Sequence, residues 1–395
     1  RRLYHLNLQP TQLNERITTI DIIRGVSLLG ILLVNMFGFY LPQPHIQLNN
    51  WFTEAIDIIW HQNLNIYIQS SFYPLFSMLF GYGLAMQYMK AQRTGLNVYK
   101  FIPKRLALLF AIGMAHALFL WWGDIIATYA FCGFFLLLFL RYKSTILLVI
   151  GILLNSFFHL FYLGSFGLLG LLNIPVDEQP VDIQSVQDAV TAYATGGYVD
   201  AFIQRLSDLS LQMSPFMWIV ALFTILPYML IGAAAAKWRL IERAKELKGL
   251  WITFAILATA LGLFIKSAPY LFTNTYLLDY LKVYVGGPIL SVGYAAIIVV
   301  LCFIPAMTKW LSPLAKMGRM SMTMYILQTI ICTTLFYNYG FGLYGKIDVP
   351  TAVYMALGIF AVQVIIAEIW LSKFKQGPLE AAVKRLTYGK KYSEK

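Results

Sequence analysis

"RITTIDIIRGVSLLGILLVNMF", residues 16–37, is the stretch that decides the fold. From Ile20 onward it is an apolar run long enough for a ~30 Å hydrocarbon core, which takes about 20 residues of helix. It also carries three polar groups that such a run does not need, Asp21, Arg24 and Asn35. Asp21 and Arg24 stand three apart, on one helix face and close enough to pair. Asn35 follows ~16 Å further along the axis. An ion pair and an amide on a spanning segment mark either a topology anchor or a site facing the protein interior.

The rest of the chain repeats the pattern. With 59% hydrophobic residues, 12% charged residues and a mean hydropathy of +0.66, the composition is that of a polytopic membrane protein. Ten runs have spanning length, at about 20–41, 66–89, 104–122, 125–141, 145–171, 214–236, 250–271, 283–305, 320–337 and 352–371. The expected fold is therefore all-α, a membrane helix bundle of about ten spans. The net charge of +12 does not indicate a nucleic-acid partner, because the basic residues fall in short clusters between apolar runs. All but four of the 30 Lys and Arg residues (Arg205, Lys266, Lys282 and Lys346) lie on one side of this topology. By the positive-inside rule that side is the cytoplasm, with both termini on it. The expected location is the plasma (inner) membrane of a bacterium, with lipid as the first partner.

The whole chain, 1–395, reads as a single transmembrane domain with two additions. Residues 172–213 form an outer-side insertion with apolar residues at helical spacing (Val186, Val190, Tyr193, then Phe202, Leu206, Leu209), either a cap on the bundle or a lid over a substrate. Residues 372–395 form a basic cytoplasmic tail. Cys132, Cys302 and Cys332 lie inside apolar runs and show neither a disulfide framework nor metal spacing, so no metal is expected. The first apolar run is too long for a signal-peptide core and is expected to stay in the protein.

Polar groups within spans are the functional candidates, because each is costly in hydrocarbon unless it faces protein. They are Asp21, Arg24, Asn35, His116, His159, Gln328 and Glu368, with Asp124 at a boundary. His116 is eleven residues past Arg105, ~16 Å from the basic end. It reads either as a hydrogen-bonded structural residue or as a general base, since imidazole takes a proton near neutral pH. A straight helix would hold Asp124 about 12 Å away along the axis, so a His116–Asp124 pair needs the chain to fold back at Trp122–Gly123. His45 and His61 flank the outer connection 42–65. Nucleophile motifs, zinc spacings and nucleotide loops are absent from the sequence.

Five stretches carry a resemblance: "RITTIDIIRGVSLLGILLVNMFGF" (16–39), "SFYPLFSMLFGYGL" (71–84), "GMAHALFLWWGDIIATYAFCG" (113–133), "GRMSMTMYILQTIICTTLFY" (318–337) and "FKQGPLEAAVKRLTYG" (374–389). Together they resemble the YeiB family of bacterial inner-membrane proteins, domain of unknown function 418, over essentially the whole chain. The first stretch is also distantly similar to heparan-alpha-glucosaminide N-acetyltransferase and the acyltransferase-3 membrane enzymes. Those enzymes pass an acyl group from cytoplasmic acyl-CoA to a sugar or glycan across the membrane.

The resemblance implies a transmembrane acyl-transfer scheme with the following residue roles. Arg24 matches the Arg of an Arg-to-His motif, and Asn35 stands where acyltransferase-3 proteins have the His. The base then comes from elsewhere: His116 with Asp124 first, with His45 or His61 as the alternatives. Asp21, Arg24, Lys104, Arg105 and Arg319 are the expected holders of acyl-CoA (acetyl-CoA). Asn35 or Gln328 would donate to the developing oxyanion, with Trp121 at the substrate. The acceptor is a small molecule or glycan, and a homodimer is allowed. The competing class is a small-solute transporter without chemistry, which buried His, Gln and Glu residues suit as well.

Overall fold

The computed structural model describes residues 17–95, 97–162, 164, 182–272 and 274–389. Helix α1 is Thr18–Tyr40, and its buried face runs almost without interruption from Ile20 to Tyr40. The connection to the next long helix holds a 3-10 turn, Gln43–His45, then α2 (Leu48–Trp51) and α3 (Ala55–Tyr67). Then come α4 (Phe72–Arg93), α5 (Val98–Phe119), α6 (Ile126–Phe139) and α7 (Ser144–Tyr162). The insertion folds as α8 (Ile183–Ala194) and α9 (Tyr198–Gln212). The chain continues with α10 (Pro215–Thr224), α11 (Leu226–Lys237) and α12 (Lys248–Leu271). After α13 (Tyr276–Leu281) a π-helical turn, Lys282–Gly286, leads into α14 (Gly287–Leu301). The remainder is α15 (Pro305–Trp310), α16 (Ser312–Arg319), α17 (Ser321–Phe336), α18 (Val349–Lys373) and α19 (Pro378–Tyr388), and no strand occurs among the described residues.

Seven helical segments are long and apolar enough to cross a membrane: Thr18–Tyr40, Val98–Phe119, Ser144–Tyr162, Pro215–Lys237, Lys248–Leu271, Tyr276–Leu301 and Val349–Lys373. Two further expected spans are shorter apolar helices, Ile126–Phe139 and Ser321–Phe336. The tenth, α4, is long enough but less apolar, because Tyr73, Tyr82, Gln87 and Tyr88 are built into it. It also starts six residues later than expected. Ser70, at φ 61°, puts a left-handed kink between α3 and α4 that a hydropathy scan does not register. The far end of the expected fifth span and the first part of the insertion lie outside the described residues.

Close helix contacts use glycine where a side chain has no room. A Cβ on Gly25 would stand 2.0 Å from the Leu314 carbonyl oxygen, and one on Gly318 1.9 Å from that of Asp21, so α1 and α16 touch backbone to backbone. Gly81 and Gly232 play the same part between α4 and α11.

The described parts of the two additions are helical. Helix α9 buries Gln204, Arg205 and Asp208 and exposes Val199, Ile203 and Leu206. Its buried face thus mixes polar groups with Ala201 and Leu209, and its exposed face mixes those apolar side chains with Asp200, Ser207 and Ser210. The basic tail forms α19, docked on α17. Glu380 Oε1 accepts the Met322 and Thr323 backbone N–H groups at 2.8 and 3.1 Å, placing a carboxylate on the positive end of that helix.

Candidate functional site

Four polar constellations stand out, three of them around a histidine. The first is buried where α5 ends. The N–H groups of Leu120 and Trp121 both donate to the His116 carbonyl, at 2.9 and 3.1 Å, and this closes the helix. The chain then folds back against α5 at Gly113, where a Cβ would stand 2.7 Å from Asp124 Oδ1. That oxygen accepts the Ala127 N–H at 2.7 Å and starts α6. Asp124 Oδ2 lies 2.8 Å from His116 Nδ1, and Thr329 Oγ1 lies 2.9 Å from His116 Nε2. A carboxylate can only accept, so Nδ1 carries the proton, and in the neutral ring Nε2 accepts from the Thr329 hydroxyl. Tyr325 packs on the ring and donates to the Gly123 carbonyl at 3.1 Å. Both nitrogens of His116 are thus occupied, and the fold-back condition for its pairing with Asp124 is met.

The second centre joins the α1–α3 connection to the insertion. His45 Nε2 is 2.8 Å from Asp208 Oδ1, which also accepts Gln204 Nε2 at 2.8 Å. The Tyr193 hydroxyl donates to Asp208 Oδ2 at 2.6 Å.

The third is a cavity of about 400 Å³ between α1, the 43–49 segment, α3 and α13 with its π turn. Leu33, Val34 and Phe37 give it an apolar wall, and Gln43, Gln47, Asn65, Gln69 and His61 give it a polar one. Its charged members, Asp279 and Lys282, pair with each other at 2.5 Å. His61 meets Phe37 edge-on at 5.4 Å and receives a long 3.3 Å hydrogen bond from Asn65 Nδ2 at Nε2. Burial, and then the charge of Lys282, pull the His61 pKa down to about 4, so the ring is neutral at ordinary pH.

The fourth constellation is cationic. Arg24 Nη1 donates to Asp21 Oδ1 at 3.2 Å, while its Nη2 stands 3.2 Å from where a Cβ on Gly83 would be. Arg105 reaches Gln87 Oε1 at 3.4 Å and lies within electrostatic range of Arg24. Arg319 follows Gly318 at the same end and donates to the Lys375 carbonyl at 2.9 Å, whereas Lys104 is exposed.

The remaining expected site residues are placed elsewhere. Gln328 donates to Gln363 Oε1 at 3.0 Å and ties α17 to α18. Trp121 is buried against Phe39 and donates to the Gly38 carbonyl at 3.1 Å. Neither lines the cavity. Asn35 is half-buried and has no hydrogen-bond partner among the described residues.

Sequence reading passed over Thr329, because a hydroxyl in an apolar run gives no charge signal. It also counted Lys266 and Lys282 only as outer cations. Lys266 is wholly buried, with Nζ on the Gln69 carbonyl at 2.5 Å and Ser71 Oγ at 2.8 Å, where it braces the kink behind the cavity. Its place inside "LGLFIKSAPYL" was the available clue. Among the described residues, no group of three His, Cys, Asp or Glu side chains could hold a metal ion.

Long apolar helices joined through buried polar centres define a multi-pass helical membrane protein. The chain belongs to the YeiB family, whose model, "Protein of unknown function (DUF418)", matches residues 235–390. It is 33% identical to the uncharacterized protein YxaH of Bacillus subtilis (strain 168), across 97% of this chain and 96% of that one. It is 28% identical to the uncharacterized protein YeiB of Escherichia coli (strain K12), across 94% and 96%. An uncharacterized 39.9 kDa protein from the amylase 3′ region of Bacillus acidopullulyticus is also 28% identical, across 98% and 97%.

Proposed function

We propose that this protein is a transmembrane acyltransferase that moves an acyl group from cytoplasmic acyl-CoA to a hydroxyl or amine of an extracytoplasmic sugar or glycan. One relationship carries the reading. Helix α1 bears Arg24, within electrostatic range of Arg105, near its start, and the wall of the His61 cavity ten residues further on, ~15 Å along the axis. In this topology of ten spans in a bacterial plasma membrane, the arginine end and both termini are cytoplasmic and the cavity opens outward.

Two guanidinium groups held within range of each other suit the phosphates of acyl-CoA, and Gly83 leaves space beside Arg24. The bound thioester would supply the activated acyl carbon. In the cavity, the acceptor hydroxyl displaces the long Asn65 bond and gives its proton to His61 Nε2 as its oxygen bonds to the acyl carbon. The carbon–sulfur bond breaks and the proton passes to the sulfur. Asn35, expected to donate to the carbonyl oxygen, is not among the residues lining the cavity, so that role falls to the lining amides of Gln43 and Gln47. His61 takes the base role because it lines the cavity, whereas both nitrogens of His116 are engaged. The test is transfer of a radiolabelled acetyl group from acetyl-CoA to a panel of amino sugars and glycans by the protein in proteoliposomes. Absence of transfer and of acyl-CoA binding would sink the proposal.

One observation favours solute transport instead. The spanning segment Tyr276–Leu301 carries a π turn at Lys282–Gly286, and Lys282 faces the cavity beside Asp279. A π turn within a helix is frequent at functional sites, and charged groups at a polar cavity inside a span also mark solute pathways. Proteoliposomes that take up a labelled solute without acyl-CoA would support this second reading.

A further inference from the structure

Helix α9 lies across the end of α5. The Tyr198 hydroxyl donates to the Phe119 carbonyl at 2.8 Å, and Arg205 Nη1 donates to the Leu118 carbonyl at 3.0 Å. Arg205 is wholly buried, at 0% exposure, and its other two nitrogens, Nε and Nη2, have no hydrogen-bond partner among the described residues. These two nitrogens share one edge of the guanidinium plane, the edge that grips both oxygens of a carboxylate or phosphate in parallel. The nearby carboxylate on the same helix, Asp208, is committed elsewhere, to His45, Gln204 and Tyr193. A helix-end carbonyl offsets part of the charge, and the Tyr198 ring at 5.7 Å adds a little more. Among the described residues Arg205 is therefore a buried cation without a counter-ion of its own, the costly condition for an ionised group. Tyr337 carries a second buried donor without a partner, its hydroxyl, within the field of Arg205.

We propose that the Nε/Nη2 edge of Arg205, with the Tyr337 hydroxyl, is a binding site for a singly charged oxyanion, a carboxylate or a phosphodiester. Charge matching selects the class: one buried positive charge and a neutral phenol balance a monoanion, whereas a dianionic phosphate would leave an uncompensated negative charge in the interior. The site is separate from the arginine pair at the start of α1, and it does not depend on acyl transfer. One turn further along α9, Asp208 holds His45, whose neighbours Ile46 and Gln47 line the His61 cavity. Occupancy at Arg205 thus bears on the wall of that cavity.

The experiment measures thermal unfolding of the full-length detergent-solubilised protein with acetate, dimethyl phosphate, or chloride at equal ionic strength, without acyl-CoA. The expected result is a saturable rise in Tm with acetate, dimethyl phosphate or both, and none with chloride. Arg205→Lys keeps the charge but lacks the two-pronged edge, and it should weaken binding at least tenfold. Tyr337→Phe, which removes only the hydroxyl, should weaken it several-fold and serves if the lysine variant fails to fold. A response to acetate alone identifies a soluble carboxylate, and one to dimethyl phosphate alone a phosphodiester headgroup. If neither oxyanion raises Tm above chloride, or if Tyr337→Phe and every folded Arg205 variant respond like the parent, the two nitrogens are satisfied by water and the proposal is wrong.

Discussion

His116 and Asp124 meet at 2.8 Å across a chain reversal that ends α5 and begins α6, with Thr329 of α17 on the opposite ring nitrogen. The pair locks three elements together. Removing the imidazole leaves a buried carboxylate short of a donor, at a cost of about 3 kcal/mol. His116→Ala should lower the thermal midpoint markedly, and Thr329→Val should lower it less, because the ring keeps its contact with Asp124. Thermal unfolding in detergent reads both. A His116→Ala protein as stable as the parent would show that the reversal is held by other contacts.

His61 gives a stability signature with a definite sign. Its folded pKa is about 4, below the ordinary 6.5, so the unfolded chain binds its proton first as the pH falls. The neutral ring's contribution is complete above pH 6.5 and is lost as the pH drops toward 4. The full effect is about 3 kcal/mol. His61→Gln should flatten the stability profile over that window, and in the acyl-transfer reading it should also abolish transfer. Denaturant titrations at several pH values separate the two effects.

Much of the architecture was legible because α1 and the other long helices are continuous apolar runs whose ends are charged. Less legible were places where side-chain hydrogen bonding overrides hydropathy. The third expected span was drawn to residue 122, yet α5 ends at Phe119, since the chain must reverse to carry Asp124 back to His116. The cavity was hidden because residues from four separate segments build it. Lys282 reads in sequence as an outer charge, and its pairing with Asp279 in the cavity wall is not visible there. The burial of Arg205 was not legible either, since an exposed cation and a buried one look the same in a linear sequence.

The backbone contact between α1 and α16 predicts a strong size limit. A methyl at Gly318 or Gly25 would overlap a carbonyl oxygen at about 2 Å. Either Gly→Ala change must push the helices apart, costing about 1–3 kcal/mol. Reduced yield of monodisperse protein and a lower Tm are expected for both. Gly358→Ala, at a position with nothing within 4 Å, is the matched control and should leave both unchanged.

The last prediction concerns the cationic end of α1. If Arg24 and Arg105 hold phosphate groups, removing either charge weakens acyl-CoA binding without disturbing the cavity. Arg24→Gln should raise the dissociation constant about tenfold, equivalent to 1.4 kcal/mol. The loss should shrink as salt is added, because a half-exposed pair is screened. Arg105→Gln should act in the same direction. Lys104→Gln, at an exposed position, should have a smaller effect. Binding of acetyl-CoA at low and high ionic strength distinguishes this from a structural role, for which the defect would appear as a lower Tm independent of ligand. Asp21→Asn offers the opposite test: it frees Arg24 from the 3.2 Å contact with the carboxylate. Affinity for acyl-CoA should then be unchanged or higher, and a loss as large as that of Arg24→Gln would mean that Asp21 is needed to aim the guanidinium.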